Sequence, residues 1–347
     1  GTVSTLSHNG GKTGSLLLDP SDITISSGTD TDSANASNIF TGSAATSIIN
    51  VTTLVTALGT NNITIDATGG SGTSTTSSIT VANDVVWTSG KNLTLTAGSG
   101  GIAINARING GTTGNLSMTS GGNITEGANG IITANTVSAT STGGNITLDN
   151  AANSITNLGA ITVGTTNKSI TIVNNRALTL TGAVSTANNA TNTGNISITS
   201  ARSASEGIAA KAITVGSTGS ITWYGTGALN LTSENVGGML FSGNINGGTT
   251  GILNIDTRGQ VSNNAGFVTA GTVNFTGRNI QGVGLNSAAL GLYGENHIGK
   301  IGNITGATGG RDFRIDNYQD VVIDGVVNWN GNFRLTSVGG TITQTAN

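Results

Sequence analysis

The tetrapeptide Asn-Ile/Leu-Thr/Ser-Ile/Leu returns again and again along this chain, and that self-similarity constrains the fold more than any other feature. It reads N-I-T-I at Asn62–Ile65, N-L-T-L at Asn92–Leu95, N-L-S-M at Asn115–Met118 and N-I-T-L at Asn145–Leu148. Close copies follow at Ser169–Ile172, Asn195–Ile198 and Ser220–Trp223, and looser ones at Ile252–Ile255, Thr272–Phe275, Asp312–Ile315 and Asn332–Leu335. Most steps between copies are roughly 20–30 residues, the range of solenoid repeats, whose units cannot bury a hydrophobic face alone. Within a copy, apolar residues alternate with small polar ones, the period of a strand with one buried face. Leu93 and Leu95 point one way, while Asn92, Thr94 and Thr96 point the other.

Between copies lie Gly121-Gly122, Gly143-Gly144 and Gly247-Gly248, residues suited to tight corners. Further short strands fit between most copies, as at Ile131–Val137 and Ile161–Val163. Two to three strands per repeat joined by short corners describe one coil of a parallel β-helix. The chain is therefore expected to be all-β, a single elongated solenoid over residues 1–347. One short helix is expected at Thr52–Leu58, where Leu54, Val55 and Leu58 share a face and a threonine caps the start. Pro20 is expected at a corner. Neither end carries a recognisable polar cap, so the chain is expected to be an interior piece of a longer protein, with end-to-end self-association as a further expectation.

Composition narrows the function. Of 347 residues, 8% are charged and 3% aromatic, with 55 Gly, 1 Pro and no Cys. Such Gly content can signal disorder, but a 35% hydrophobic share arranged in alternation argues for a packed interior. A net charge of -3 gives no field to attract nucleic acid. No apolar run approaches the roughly 18 residues of a membrane-spanning helix. Without cysteine there are no disulfides and no thiolate metal sites.

The stretch S-L-L-L-D-P-S-D-I-T-I (Ser15–Ile25) resembles an element of large exoproteins of the filamentous haemagglutinin type, secreted by the two-partner route. The order that follows is similar too. A polar loop at Ser26–Ser37 leads to T-S-I-I-N-V-T-T-L-V-T-A-L (Thr46–Leu58), then to Asn62–Ile65, Ser78–Val81, Val85–Ala97 and Gly100–Ile108. The match runs over roughly Gly10–Gly122 and beyond that is generic, with no counterpart of the family's secretion domain. The resemblance implies a right-handed parallel β-helix, export through an outer-membrane pore partner, and a secreted or bacterial cell-surface location. Members are commonly adhesins, which points to host or neighbour glycans as partners.

Chemistry has few footholds. His8 and His297 are far apart and lack sequence-near acidic partners, and no G-x-S-x-G elbow is present. G-K-T at Gly11–Thr13 imitates the end of a phosphate loop, but Leu6 stands where the loop's first glycine belongs. D-T-D-S at Asp30–Ser33 lacks the remaining ligands of a calcium loop. Accordingly no catalytic residue, no cofactor and no metal site is assigned, and the chain is not expected to be an enzyme. T-x-T-like pairs at Thr94/Thr96, Thr179/Thr181 and Ser197/Thr199 would order water on a flat face, but irregular spacing makes them ordinary strand residues. Asn50, Asn62, Asn92, Asn115, Asn123, Asn145 and Asn195 form N-x-S/T sequons, for which stacking or corner hydrogen bonding is the structural account.

The richest polar cluster is C-terminal: Arg311, Asp312, Arg314, Asp316, Asp320 and Asp324, with Tyr318 and Trp329 nearby. Alternation puts Phe313 and Ile315 inside and Arg314 outside, with Asp316 also placed outward. The candidate ligand surface is therefore Arg314, Asp316, Tyr318, Asp320 and Asp324, with the Ser26–Asn38 loop as a second contact region. The alternative to adhesion is a carbohydrate-active β-helix, a lyase or glycosidase, using the same carboxylates.

Overall fold

The computed structural model describes residues 21–69, 76–201, 211–234, 237–278, 290–306 and 312–345. Pro20, His8, Gly11–Thr13 and Arg311 lie outside these. The described chain is a β-solenoid of about 13 turns with one helix, and at roughly 4.8 Å per rung the stack is roughly 60 Å long. Nearly all pairings are parallel and join strands one coil apart.

The interior is organised as columns. In the central stack the register runs Ile23, Ile79, Ile102, Ile124, Ile146, Ile170, Ile196, Leu229, Leu253, Val273, Ile301 and Ile323, each opposite the next. From Ile23 to Ile301 these side chains are almost completely buried, and burying each contributes about 1.5–3 kcal/mol. This column, with the separate one that stacks Ile63, Leu93, Leu116 and Val137, is why the tetrapeptide recurs: a one-residue slip would turn every apolar side chain of a strand to solvent. Coil length still varies between rungs while the inward positions stay aligned.

Asparagines tie the coils together outside and inside. On the surface, the Asn115 amide donates to Asn92 Oδ1 (2.9 Å), Asn135 to Asn115 Oδ1 (3.1 Å), and Asn254 and Asn274 to the ladder member below them (2.8 Å each). Asn123 and Asn145 instead accept from backbone amides one coil on, Asn145 and Ser169. The sequon asparagines are thus committed to inter-coil bonds, as stacking predicts. At corners, fully buried asparagines substitute for strand backbone. Asn174 Oδ1 accepts from Ile155 N–H, while its Nδ2 donates to the carbonyls of Ile155 and Arg176. Asn317 repeats this pattern with Ile298 and Gln319. Such a side chain satisfies backbone groups that a turning chain would leave orphaned in the core.

A second device occurs twice. The heptapeptide I-N-G-G-T-T-G stands at Ile108–Gly114 and again at Ile245–Gly251. Each copy sits one coil above a buried tryptophan, Trp87 or Trp223. The indoles donate to the carbonyls of Lys91 and Gly227. A Cβ on Gly247 would lie 2.1 Å from the Trp223 ring, and one on Gly110 2.6 Å from Trp87, so glycine is required there by close approach.

The helix spans Val51–Leu58 and buries Leu54 and Leu58. Its N-cap is Asn50, whose side chain accepts from Thr52 N–H at 2.7 Å, not a threonine as expected from the sequence. Asp30 completes that end, accepting from Asn50 N–H and Thr53 Oγ1 at 2.6 Å each, where a negative charge suits the helix dipole. This is the structural role of the D-T-D-S segment. The expected polar loop Ser26–Asn38 also differs from expectation. Ser33–Ala36 pairs antiparallel with Ile39–Gly42, and Ser37 and Asn38 turn the chain with φ of 53° and 68°, the two positive values of a tight hairpin turn.

Replacing Asn174 by Ala removes the side-chain partner of two buried backbone groups, the N–H and carbonyl of Ile155, while the Arg176 carbonyl keeps its bond from Ser200 Oγ. About 1–3 kcal/mol is expected to be lost for each of the two. Urea unfolding should therefore show a much larger drop for Asn174→Ala than for Asn115→Ala, whose ladder bonds are open to water and whose loss costs about 1 kcal/mol or less.

Candidate functional site

The C-terminal candidate surface is built on the strand Phe313–Asn317, which pairs with the 290–292 segment on one side and with Phe333–Ser337 on the other. Alternation sets its side chains. Phe313 and Ile315 are buried, and Arg314 turns outward. Asp316 shares the outward face of Arg314 as expected but is covered there: it is only 9% exposed and its Oδ1 accepts from Arg314 Nε at 2.7 Å. The partner cation offsets the cost of withdrawing a carboxylate from water. The Arg314 guanidinium also lies 5.5 Å from the centroid of the Tyr293 ring, a cation–π distance. Burial raises the Tyr293 phenol above its ordinary value, opposed by the nearby Arg314 charge.

The other carboxylates are directed elsewhere. Asp320 Oδ1 accepts from the Thr341 amide (2.7 Å) and hydroxyl (2.9 Å). Asp324 accepts from Lys300 Nζ (3.0 Å) and from the Thr345 hydroxyl (2.8 Å). Asp312 accepts from Asn332 Nδ2 at 2.8 Å. Each of the three bridges to an adjacent coil. The sequence cluster thus resolves into one local group, Tyr293, Arg314 and Asp316, followed by the exposed Tyr318, and a separate set of inter-coil ties at Asp320 and Asp324. No group of three or more His, Asp or Glu side chains in a metal-holding arrangement occurs among the described residues. Trp329 is no surface platform either. Its ring packs 5.1 Å from Phe313 and 5.8 Å from Phe275, and Phe313 stacks on Phe333 at 5.8 Å, an aromatic column that continues the aliphatic one. His297 is exposed on the strand Leu290–Gly306.

Sequence inspection missed two surface features. Tyr293 meets Arg314 only through the stacking of coils. Arg278 bridges Asp256 (2.6 Å) and Glu234 (3.0 Å) from two successive coils below, beside an open groove of about 360 Å³ lined by Thr276, Gly277, Thr305, Gly306 and Asn328. These partners are far apart in sequence, so only the register reveals them.

No protein-family model, curated protein or solved structure matches this chain.

Bonds from Thr341 hold the Asp320 carboxyl below its usual value, and those from Thr345 and Lys300 do the same for Asp324. A carboxylate with a depressed folded pKa contributes stability that is complete above its unfolded value of 3.8 and fades as pH falls through the folded one. Acidification from about pH 5 to about pH 2 should therefore loosen the coil containing Thr341 and Thr345. Residue-resolved hydrogen exchange at the Thr341 amide will show this in the native chain, and Asp320→Asn will remove most of the pH dependence.

Proposed function

We propose that this chain is a structural and adhesive segment of a secreted bacterial surface exoprotein of the filamentous haemagglutinin type, displaying or forming an adhesion surface. The observation that carries this is the unbroken interior column from Ile23 to Ile323, which makes a stiff shaft from a chain with 8% charge and no Cys. Its outward strand positions are small and polar, so the shaft is wetted along its sides. Chain order over Gly10–Gly122 supports the same family, with an outer-membrane pore as the export partner. Catalysis is not part of the proposal. The acidic side chains offered for it, Asp316, Asp320 and Asp324, are each held by a neighbouring side chain or coil instead of facing one another.

Contact with surface glycans is assigned to Tyr293, Arg314, Asp316 and Tyr318, where one phenol lies against a charged pair and a second, exposed one follows two residues on. Aromatic faces and charge-assisted donors are the groups that recognise sugars, which present C–H faces and hydroxyls. The purified chain, applied to a broad glycan array with soluble competitor, is expected to bind in a competable way, and Tyr318→Ala together with Arg314→Ala to weaken binding about tenfold or more, about 1.4 kcal/mol. Asp324→Asn should leave binding unchanged. A blank array from a chain shown to be folded by circular dichroism removes adhesion from this segment. Cleavage of a polysaccharide would contradict the non-enzymatic assignment.

A further inference from the structure

A second interior column runs beside the first: Ile25, Val81 and Ile104 below, and Leu148, Ile172, Ile198, Leu231, Ile255, Phe275, Ile304 and Val327 above. One rung is not hydrocarbon. Glu126 pairs in register with Ile104, and the register that matches Ile124 to Ile146 and Thr125 to Thr147 leads to Leu148 on its other side. Glu126, half-buried as a residue, therefore stands at the register position that the other described coils give to an apolar side chain.

Its surroundings are unequal. Oε2 accepts from the Asn150 amide (2.9 Å) and from Asn153 Nδ2 (3.0 Å). Oε1 is buried with no hydrogen-bond partner. Asn153, itself fully buried, accepts from Ile132 N–H at 2.7 Å and donates to the Val173 carbonyl at 3.3 Å. Asn150 Nδ2 reaches the Ala128 carbonyl at 3.2 Å. One carboxyl thus organises a corner shared by three coils. The neutral acid is the less costly form, with Oε2 as its carbonyl oxygen: its O–H on Oε1 lacks an acceptor, but an unmade hydrogen bond costs less than a buried charge. A carboxylate would place charge on an oxygen with no donor to receive it, which is costly in a low dielectric.

We propose that Glu126 is a pH switch built into the solenoid: protonated, it completes the interior column and clamps the 149–153 corner, and ionised, it releases that corner.

The charged groups around it favour the neutral acid. Asp149, on the coil above, adds a like charge. Arg107, on the corner below, is committed to Asp84 at 2.7 Å, and Arg176 belongs to the corner two coils up. Burial is the largest cause and pushes the carboxyl from 4.5 up to about 7, against the lowering effect of the Asn150 and Asn153 bonds. An acid whose folded pKa is raised binds its proton more tightly when folded. Its site is firmest below pH 4.5 and weakens as pH rises from 4.5 through 7. Between about pH 5.5 and about pH 8.5 the closed form loses a factor of about 30 relative to the open one. This window is opposite in sign to that of Asp320 and Asp324, so the two ends of the pH scale act on different coils.

The test is hydrogen exchange followed by mass spectrometry at about pH 5.5 and about pH 8.5, corrected for intrinsic rates, on the intact chain. Peptides covering 126–133 and 149–156 are expected to lose about 10–30-fold of protection at the higher pH, while the strand Ile252–Thr257 does not change. In Glu126→Gln, which keeps an acceptor but cannot ionise, protection at the corner should be equal at both values. If that variant does not fold, Glu126→Ile, which makes the rung like its neighbours, is expected to give the same pH-invariant protection. Equal protection in the native chain at both pH values would overturn the proposal. So would a pH response in the folded variant as large as the native one.

Discussion

Register between successive coils is the constraint on which everything else in this molecule depends. A coil of this solenoid has no interior of its own; its isoleucines and leucines become buried only because the coils above and below hold the same positions at the same height. Backbone ladders set that height, and the apolar columns reward it. The number of residues between successive column members varies, as between Ile196 and Leu229 compared with Leu253 and Val273, while each inward residue still lands on its column. Surface chemistry is arranged by the same rule. Arg278 meets Asp256 and Glu234, and Arg314 meets Tyr293, because the stack delivers them to neighbouring rungs.

Among the described residues, buried asparagines stand at corners of this interior where they replace backbone. Asn174 and Asn317 supply both an acceptor and donors at corners where the strand has ended and its neighbour continues. The surface asparagines do a milder version of the same work. Their commitment to inter-coil bonds accounts for the abundance of sequons without any modification being required. Glu126 is the exception that sharpens the rule, since its carboxyl enters an apolar column with one oxygen satisfied and the other not.

Much of this was legible in the sequence, for a physical reason. A period-two alternation repeated at coil length can be satisfied by few structures, so the tetrapeptides at Asn62, Asn92, Asn115, Asn145 and Asn195 specify both strands and stacking. The short helix was visible through Leu54, Val55 and Leu58. Its cap was misassigned because Asn50 and the neighbouring threonines are all competent caps, and Asp30, twenty residues earlier, decides between them. The C-terminal cluster was only partly legible. Spacing along the chain placed Asp316, Asp320 and Asp324 together, whereas the partners that settle their roles, Thr341, Thr345, Lys300 and Tyr293, lie one coil away. Glu126 was hidden for a related reason, because N-I-T-E looks like one more polar-ended copy until its register partner Ile104 is known.

The most direct test of collective stability is hydrogen exchange mapped coil by coil in the variant Ile146→Asp, at the middle of the central column. If neighbouring coils bury one another, protection will fall in the strands holding Ile124 and Ile170 as well as in Ile146–Leu148, and recover gradually toward Ile79 and Leu253. A loss confined to Ile146–Leu148, with both neighbouring strands as protected as in the native chain, would contradict the account.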